Sequence, residues 1–345
     1  MAGLPEEIRS GKIVDIKLGY SCNNDCIHCV IAENRDDLIQ NQKPINRDFE
    51  ECKKEILDAI QSGAEKIVLT GGEPTLRNDL FDLLSLINDH PCSVNIQTNG
   101  RAFRDMTFAR RTIEYQRVSF SVALHGPKSI HDKITRREGS FNDTVNAIKN
   151  LIGLNKPVSV KFVISKLNYT SIEETVDILD DLKVKHMSLT FPHGIGNAGK
   201  YFADVVPQYT EIIPYLRKAF DYCNKKMIWF DTEAIPYCFL EGYEERASEA
   251  FLRAASIETR PVGGKTLNWS KKRPEIKQKG EQCCHCLFDH ICEGFWEEYG
   301  AHYGFSELKP VHDNSQYMMK VLTKYKKIKD FRSGKSKSLY TDSDK

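Results

Sequence analysis

The segment that decides the fold is Tyr20-Ser-Cys-Asn-Asn-Asp-Cys-Ile-His-Cys29, which directly follows an apolar, strand-like run at residues 13–18. Its cysteines, Cys22, Cys26 and Cys29, have the spacing C-x3-C-x2-C. Three thiols in so short a loop cannot be a disulfide framework, because their number is odd. They can bind three irons of a cubane [4Fe–4S] cluster, which leaves the fourth iron open to another ligand.

The next motif along the chain is Gly71-Gly-Glu-Pro74, which follows a helical pattern and a second strand-like run at residues 66–69. Taken alone, this motif is an ordinary turn between a strand and a helix, and three cysteines with His28 are compatible with a zinc knuckle. The cysteine triad, the GGEP turn and a long alternation of strands and helices, in that order, resemble the radical S-adenosylmethionine (SAM) superfamily. The resemblance implies a SAM-binding [4Fe–4S] cluster and favours it over zinc.

Strand and helix patterns alternate along the first two thirds of the chain. They predict strands at 12–19, 66–70, 93–98, 117–124, 158–164 and 186–191, and helices at 47–62, 79–89, 104–114, 141–154, 170–182 and 208–226. Such alternation predicts an α/β fold with a parallel sheet. The resemblance implies that the six units form a partial (β/α)6 TIM-like barrel, with its chemistry on loops at the carboxyl ends of the strands.

The regular alternation of strands and helices ends after the sixth predicted helix, and this change divides the chain into parts. We expect the radical SAM core in residues 1–230 and a small C-terminal auxiliary-cluster domain in residues 231–310. A tail at 325–345, rich in Lys, Ser and Asp, is expected to be disordered. Within the second part, residues 243–256 have a helical pattern and residues 261–280 indicate a loop or hairpin.

The resemblance also implies a set of SAM-contacting residues near the ends of strands two to four: Gly71, Gly72, Glu73, Thr98, Asn99, Ser121 and Arg136. In the family, the GGEP turn meets the methionyl ammonium, and the segment after strand three meets the ribose or methionyl part. A serine on strand four and an arginine beyond it complete the site. His28 stands where the family usually has an aromatic residue packed near the adenine; its imidazole can still stack there, and an iron-ligand role is the alternative.

A second cysteine group follows the core, Cys283-x2-Cys286-x5-Cys292, with a spacing typical of iron–sulfur clusters. It resembles the SPASM/Twitch auxiliary domains of radical SAM enzymes. Because no cysteine follows Cys292 in the sequence, we expect one auxiliary [4Fe–4S] cluster of the shorter Twitch type. Cys238 is the expected fourth ligand, and Cys284 is the alternative candidate for that position. The alternative is a zinc ribbon, and full ligation of a cluster would favour electron relay over substrate binding.

These motifs lead to a hypothesis of function. We expect reductive cleavage of SAM to a 5′-deoxyadenosyl radical, which abstracts a substrate hydrogen while the auxiliary cluster relays an electron. A ribosomally made peptide, crosslinked or epimerised, is the leading substrate; oxidation or rearrangement of a small metabolite is the alternative. Cys223, on the sixth predicted helix, is a candidate hydrogen-atom donor for epimerisation, and its alternative is a buried helix residue. The alternative from a different functional class is a protein without catalytic activity that binds zinc or an iron–sulfur cluster.

Composition limits the possible partners. The 345-residue chain is 28% charged with a net charge of +1, so bulk electrostatics indicate no nucleic-acid partner. It has no apolar run of the ~18 residues that a membrane helix needs, and no secretory signal. Eleven cysteines in such a chain favour metal or redox chemistry in the cytoplasm. The resemblance implies a flavodoxin- or ferredoxin-type reductant. Because the first predicted strand begins at residue 12, we expect no N-terminal leader-binding domain.

Overall fold

A large, mostly parallel sheet organises the computed structural model, which describes residues 11–249 and 255–312. Its strands are β1 (Lys12–Gly19), β2 (Ala64–Gly71), β3 (Ser93–Thr98), β4 (Val118–Ala123), β5 (Val158–Val163), β6 (His186–Thr190), β7 (Trp229–Glu233), β8 (Ser256–Arg260) and β9 (Leu267–Asn268). The order is β7-β6-β5-β4-β3-β2-β1-β8-β9. Neighbours from β7 to β8 are parallel, and β9 is antiparallel to β8. A separate ribbon pairs β10 (Lys277–Gln278) with β11 (Phe295–Trp296).

Helices connect the strands and cover one face of the sheet. They are α1 (Ala32–Gln40), α2 (Phe49–Gln61), α3 (Leu80–Asn88), α4 (Met106–Arg110), α5 (Lys128–Thr135), α6 (Ser140–Gly153), α7 (Ile172–Asp181), α8 (Gly196–Lys200), α9 (Phe202–Val205), α10 (Tyr209–Lys225), α11 (Trp269–Glu275) and α12 (Glu297–Tyr303). In the described part of the chain, none of the helices is both long and apolar enough to cross a membrane.

The six predicted strands are present within two residues of their expected ends, and the α/β fold class is confirmed. The helix predicted at 243–256 is wrong at its end, because β8 begins at Ser256. The loop or hairpin predicted at 261–280 contains the β8–β9 turn and the unpredicted helix α11. The tail predicted to be disordered at 325–345 lies outside the described residues.

Side-chain alternation gives the sheet one apolar and one polar face. In β1, Val14, Ile16 and Leu18 are buried and join one core with residues of the covering helices. Lys17 lies on the other face, where its Nζ donates to Asp15 Oδ2 (2.8 Å) and Thr70 Oγ1 (2.7 Å). The helices therefore pack on the apolar face, and the polar face is left for the chemistry.

Helix α2 shows how the sequence fixes the first unit. Asp48 and Glu51 form a reciprocal capping box at its start, which satisfies two amide groups that the helix cannot bond itself. Cys52, Ile56 and Ala59 then recur on one side at helical spacing, and all three are fully buried. The cysteine is thus a core residue, and α2 is held against β1 and β2.

Strand β8 ties the C-terminal part of the chain to the first unit. The Arg260 guanidinium bonds the Glu55 carbonyl (2.8 Å) and carboxylate (3.0 Å) on α2, and pairs with Glu258 within β8. Arg47 donates to the Pro261 carbonyl (2.7 Å). Part of the region expected to be a separate domain, residues 231–310, therefore extends the main sheet beside β1.

A buried group of charges lies behind the second cysteine group. Lys277 has a fully buried side chain that contacts the Glu249 carboxylate (2.9 Å) and the Glu293 carboxylate (3.2 Å). Arg273 contacts Glu293 at 2.8 Å, and both side chains are about 1% exposed. Two cations thus face two anions, so the group has no net charge while each member depends on the others.

We expect Lys277→Met to destabilise the protein by about 3–5 kcal/mol, because it leaves the two buried carboxylates with one cation between them. The matched control is Lys272→Met, which removes an exposed ion pair to Glu275 and should cost no more than about 1 kcal/mol. The measurement is the urea midpoint of unfolding for the two variants. Equal midpoints would show that the buried group contributes nothing beyond a surface pair.

Candidate active site

The cysteine loop (residues 20–29) is bonded directly to the GGEP turn (residues 71–74). The Gly72 amide donates to the Gly19 carbonyl and the Glu73 amide to the Ser21 carbonyl, both at 2.8 Å. A Cβ at Gly71 would lie 2.0 Å from the Gly19 carbonyl oxygen, and one at Gly72 would lie 2.1 Å from that of Ser21. The two glycines are therefore required because two backbones meet here.

The Glu73 carboxylate fastens the end of β2 to the end of β3. Its Oε1 accepts hydrogen bonds from the Thr75 amide (3.0 Å) and hydroxyl (2.7 Å) and from the Thr98 hydroxyl (2.6 Å). Its Oε2 accepts one from the Asn99 amide (2.7 Å). Burial raises the pKa of Glu73, and these hydrogen bonds oppose that rise. Because a carboxylate oxygen can accept at least two hydrogen bonds and Oε2 accepts one from the Asn99 amide, Oε2 can take another donor.

Residues after β3 hold the cysteine loop from a second side. Asn99 Nδ2 donates to Asn23 Oδ1 (2.7 Å) and lies 4.0 Å from Cys22 Sγ. Arg101 Nη1 donates to the Asn23 carbonyl (2.9 Å). The sequence interpretation missed Arg101, although it directly follows the TNG-like segment. Predicted Thr98 and Asn99 thus lie beside Glu73 and the cysteine loop.

Two other predicted residues lie further apart. Ser121 is buried on the polar face of the sheet, where its hydroxyl donates to Asn95 Oδ1 (3.0 Å) and lies 3.0 Å from the Ser159 hydroxyl. Arg136 has a left-handed backbone (φ 50°), and its Nη1 donates to Asp25 Oδ2 (3.2 Å). The arginine therefore reaches the cysteine loop, whereas the serine belongs to a hydrogen-bonded network beneath it.

The glycine-rich segment (residues 193–199) holds the loop from a third side. The Asn197 amide donates to the Cys29 carbonyl (3.0 Å), and its Nδ2 donates to the Cys26 carbonyl (2.8 Å). Gly196 has φ 59°, and a Cβ on it would lie 2.3 Å from the Cys29 carbonyl oxygen. At the segment's other end, the His193 ring stacks on Trp296, with centroids 4.1 Å apart. The segment therefore runs from the cysteine loop to the C-terminal region.

The imidazole of His28 in the cysteine loop meets two others, those of His125 and His131, and no local sequence pattern predicts this contact. The His28 ring lies edge-on to His125 with centroids 4.5 Å apart, and His125 stacks on His131 at 5.8 Å. Burial, followed by the nearby His131, lowers the pKa of His28 to about 4. Burial also lowers the pKa of His131 to about 4 and that of His125 well below its usual value. The three rings are therefore neutral at pH 7.

The three thiols of the loop favour their protonated forms. Burial raises the pKa of Cys22 to about 11, and burial followed by the other thiols raises that of Cys26 further. Burial likewise raises the pKa of Cys29. Metal binding requires thiolates, so a bound metal must displace these protons and compensate the burial of the charge.

A cavity of about 400 Å³ opens beside the loop and the GGEP turn. Its lining includes Gly19 and Ser21 at the end of β1, Thr70 on the polar face, and Glu73. Cavities of this size are typical of small-molecule sites. The predicted ammonium-binding carboxylate therefore borders a space large enough for a ligand.

The second cysteine group also converges. Cys238, Cys283, Cys286 and Cys292 line one cavity, whereas Cys284 is exposed and does not line it. Each of the four sulfurs accepts a hydrogen bond from a backbone amide. The Lys309 amide donates to Cys238 and the Gly280 amide to Cys283. The Val311 amide donates to Cys286 (3.4 Å), and Cys292 accepts from the amides of Gly294 (3.4 Å) and Tyr237. Amides directed at sulfur stabilise thiolate charge, so the geometry of Cys238 suits a ligand better than that of its rival Cys284.

Cys223 is not among the residues that line either of the two cavities. It lies on α10 in the apolar core with no exposed surface, and burial raises the pKa of its thiol to about 12. Its predicted role as a hydrogen-atom donor has no support in this placement, which matches that of a buried helix residue.

We expect Gly196→Ala to remove the metal of the cysteine loop, because the new Cβ would collide with the Cys29 carbonyl. The matched control is Gly139→Ala, which also has positive φ (80°) but meets nothing within 4 Å. The measurement is iron per chain after anaerobic reconstitution. The control should keep the wild-type value, and the Gly196 variant should lose about four irons. Equal iron in both variants would contradict this role of the segment.

Comparisons with known proteins agree with this geometry. Residues 16–182 match the family model described as the Radical SAM superfamily. Fe-coproporphyrin III synthase of Methanosarcina barkeri is 29% identical over 163 residues, which cover 47% of this chain and 39% of that protein. Mycofactocin maturase MftC of Mycolicibacterium smegmatis is 26% identical over 166 residues, with coverage of 48% and 39%. The probable GTP 3′,8-cyclase of Saccharolobus islandicus is 27% identical over 207 residues, with coverage of 59% and 64%.

The chain thus spans less than two thirds of the length of these curated relatives. Two solved structures resemble the fold over more of the chain. Streptococcus suis SuiB bound to S-adenosylmethionine has a TM-score of 0.62 at 14% identity, covering 87% of this chain and 76% of SuiB. The anSMEcpe structure with bound AdoMet and the Cp18Cys peptide has a TM-score of 0.61 at 13% identity, covering 94% and 99%.

These structural likenesses confirm the fold class, and the sequence match confirms the resemblance carried by the two motifs. The match favours the enzyme hypothesis over that of a non-catalytic metal protein. Residues 16–182 are therefore similar to the Radical SAM superfamily, and the relatives that match this part of the chain are named as enzymes.

Proposed function

We propose that this enzyme cleaves SAM reductively and uses the 5′-deoxyadenosyl radical to abstract a hydrogen from a ribosomally made peptide. The observation that carries the proposal is the direct bonding of the cysteine loop to the GGEP turn, with the Glu73 carboxylate beside a ligand-sized cavity. When bound, the cluster supplies one electron to the sulfonium of SAM, which breaks the C5′–S bond. The protein's part is to hold, orient and shield the reacting groups.

The donor set of the first site fits a [4Fe–4S] cluster. Cys22, Cys26 and Cys29 lie close enough together for charge on one thiol to raise the pKa of another, and thiolates are the ligands of iron–sulfur clusters. A zinc site places four ligands within about 2.0–2.3 Å of one ion. A cubane puts each thiolate on its own iron, so the sulfurs stay further apart. Cys22, Cys26 and Cys29 would hold three irons and leave the fourth for SAM.

The residues in and beside the cysteine loop suit the parts of SAM. Glu73 Oε2 has room for a hydrogen bond from the methionyl ammonium, and Thr98 and Asn99 hold that carboxylate in place. We assign His28 to the adenine side, because its neutral ring is fixed edge-on against His125 beside Cys29. Arg136 reaches the same loop through Asp25 and would meet the carboxylate or ribose side of SAM.

We propose that the second cysteine group holds an auxiliary [4Fe–4S] cluster with all four irons ligated. Cys238, Cys283, Cys286 and Cys292 supply one thiolate each, and every sulfur accepts at least one backbone amide. A cluster without an open iron cannot bind substrate directly. Its role is then to relay an electron between the substrate and a flavodoxin- or ferredoxin-type reductant in the cytoplasm.

A peptide substrate is favoured by the structural neighbours. SuiB has been solved with its precursor peptide SuiA, and anSMEcpe with the Cp18Cys peptide. Both likenesses extend over most of this chain, whereas the curated relatives match about half of it. Because Cys223 is buried in the core, a crosslink fits this chain better than an epimerisation. Radical oxidation or rearrangement of a small metabolite is the second candidate, supported by the cyclase and coproporphyrin relatives.

The experiment is SAM cleavage by anaerobically reconstituted protein with dithionite. Wild-type protein should bind about eight irons per chain, the sum of two four-iron clusters, and form 5′-deoxyadenosine. Replacing Cys22, Cys26 and Cys29 by Ala should abolish 5′-deoxyadenosine. Replacing Cys283, Cys286 and Cys292 by Ala should halve the iron but leave some cleavage.

Cys284→Ala is the matched control, since that thiol does not line the cavity, and it should retain the full iron content. Wild-type protein that binds iron but forms no 5′-deoxyadenosine would refute the proposed chemistry. Unchanged iron after loss of the three C-terminal cysteines would refute the auxiliary cluster alone.

A further inference from the structure

The cavity of the four C-terminal cysteines has charged residues at its edge: Lys279, Asp289 and Lys309. Lys309 contributes its backbone amide to Cys238, and its side chain is exposed. Lys279 differs, because its ammonium is fixed. Its Nζ donates to Asp289 Oδ1 (2.5 Å) and to the Asp289 carbonyl (2.8 Å), and its side chain is about one third exposed.

The backbone holds Lys279 against the cysteines. A Cβ placed on Gly294 would lie 1.9 Å from the Gln278 carbonyl oxygen and 2.9 Å from Lys279 Cγ, so the segment Gln278–Lys279 at the end of β10 passes directly over the turn after Cys292. On the other side, the Asp289 amide donates to the Cys286 carbonyl (3.0 Å). Both members of the ion pair are therefore anchored next to a ligand cysteine.

The buried charges near this group balance one another. The buried cations Arg273 and Lys277 are matched by Glu249 and Glu293, so this set brings no net charge. The Lys279–Asp289 pair is neutral as well, and both of its members line the cavity of the four cysteines. Replacing Lys279 by an uncharged residue therefore leaves the Asp289 carboxylate uncompensated and makes the surroundings of the four sulfurs more negative.

A positive charge beside an iron–sulfur cluster stabilises the reduced form, which has one more negative charge, and so raises the reduction potential. Hydrogen bonds to the sulfurs act in the same direction. We propose that Lys279, held in place by Asp289, sets the reduction potential of the C-terminal cluster. The proposal rests on the auxiliary cluster of the proposed function. Lys279 is a tuning residue that does not touch the substrate.

The test is a potentiometric titration of the full chain in which Cys22, Cys26 and Cys29 are replaced by Ala, so that one cluster is observed. The cluster is monitored by its visible absorbance and its electron paramagnetic resonance signal. Lys279→Met should shift the midpoint to a more negative potential. Lys279→Arg keeps the charge and should restore the midpoint. Lys272→Met, which removes an exposed lysine away from the cavity, should leave the midpoint unchanged.

The proposal is overturned if Lys279→Met shifts the midpoint no more than Lys272→Met, or if Lys279→Arg shifts it as far as Lys279→Met. The second result would mean that lost packing, and not lost charge, changes the cluster. Iron content is measured for every variant. A parent chain that binds no iron would refute the auxiliary cluster itself, whereas a loaded cluster with an unmoved midpoint would refute the role of Lys279 alone.

Discussion

The contact between two backbones, that of the cysteine loop and that of the GGEP turn, is the constraint on which the rest of the site depends. Two hydrogen bonds of 2.8 Å join the end of β1 to the end of β2, and neither Gly71 nor Gly72 has space for a Cβ. Adjacent parallel strands bring the two segments to the same edge of the sheet. The three thiols of the loop and the Glu73 carboxylate are therefore positioned by one structural feature.

Other elements complete this arrangement by holding the loop from several sides. The Asp25 and Ile27 amides donate to the carbonyls of Thr135 and Ile134 at the end of α5, both at 3.0 Å. The residues after β3 and the glycine-rich segment bond the same loop from other sides. Buried thiols with raised pKa values are kept close together, so the loop is organised for a ligand that supplies positive charge.

Much of the fold could be predicted from local patterns, and the remainder depends on distant contacts. Alternating apolar runs are strong in β1 to β6, and these strands were predicted within two residues. Strand β8 was missed because Ser-Ile-Glu-Thr-Arg has few apolar residues, and its pairing with β1 joins segments more than 200 residues apart. Cys238, predicted as the fourth ligand, lines the second cavity with the other three cysteines, and its ligand role stays a prediction. No local sequence pattern predicts that His28 contacts His125 or that Gly196 contacts Cys29.

The central claim is that the cluster held by residues 22–29 has one iron that binds SAM through its amino and carboxylate groups. Electron–nuclear double resonance of the reduced protein, with SAM labelled by 15N at the amino group and 17O at the carboxylate, tests this directly. We predict hyperfine coupling from both labels in the wild-type chain. If neither label shows hyperfine coupling in a protein whose first site is fully loaded with iron, the account is contradicted.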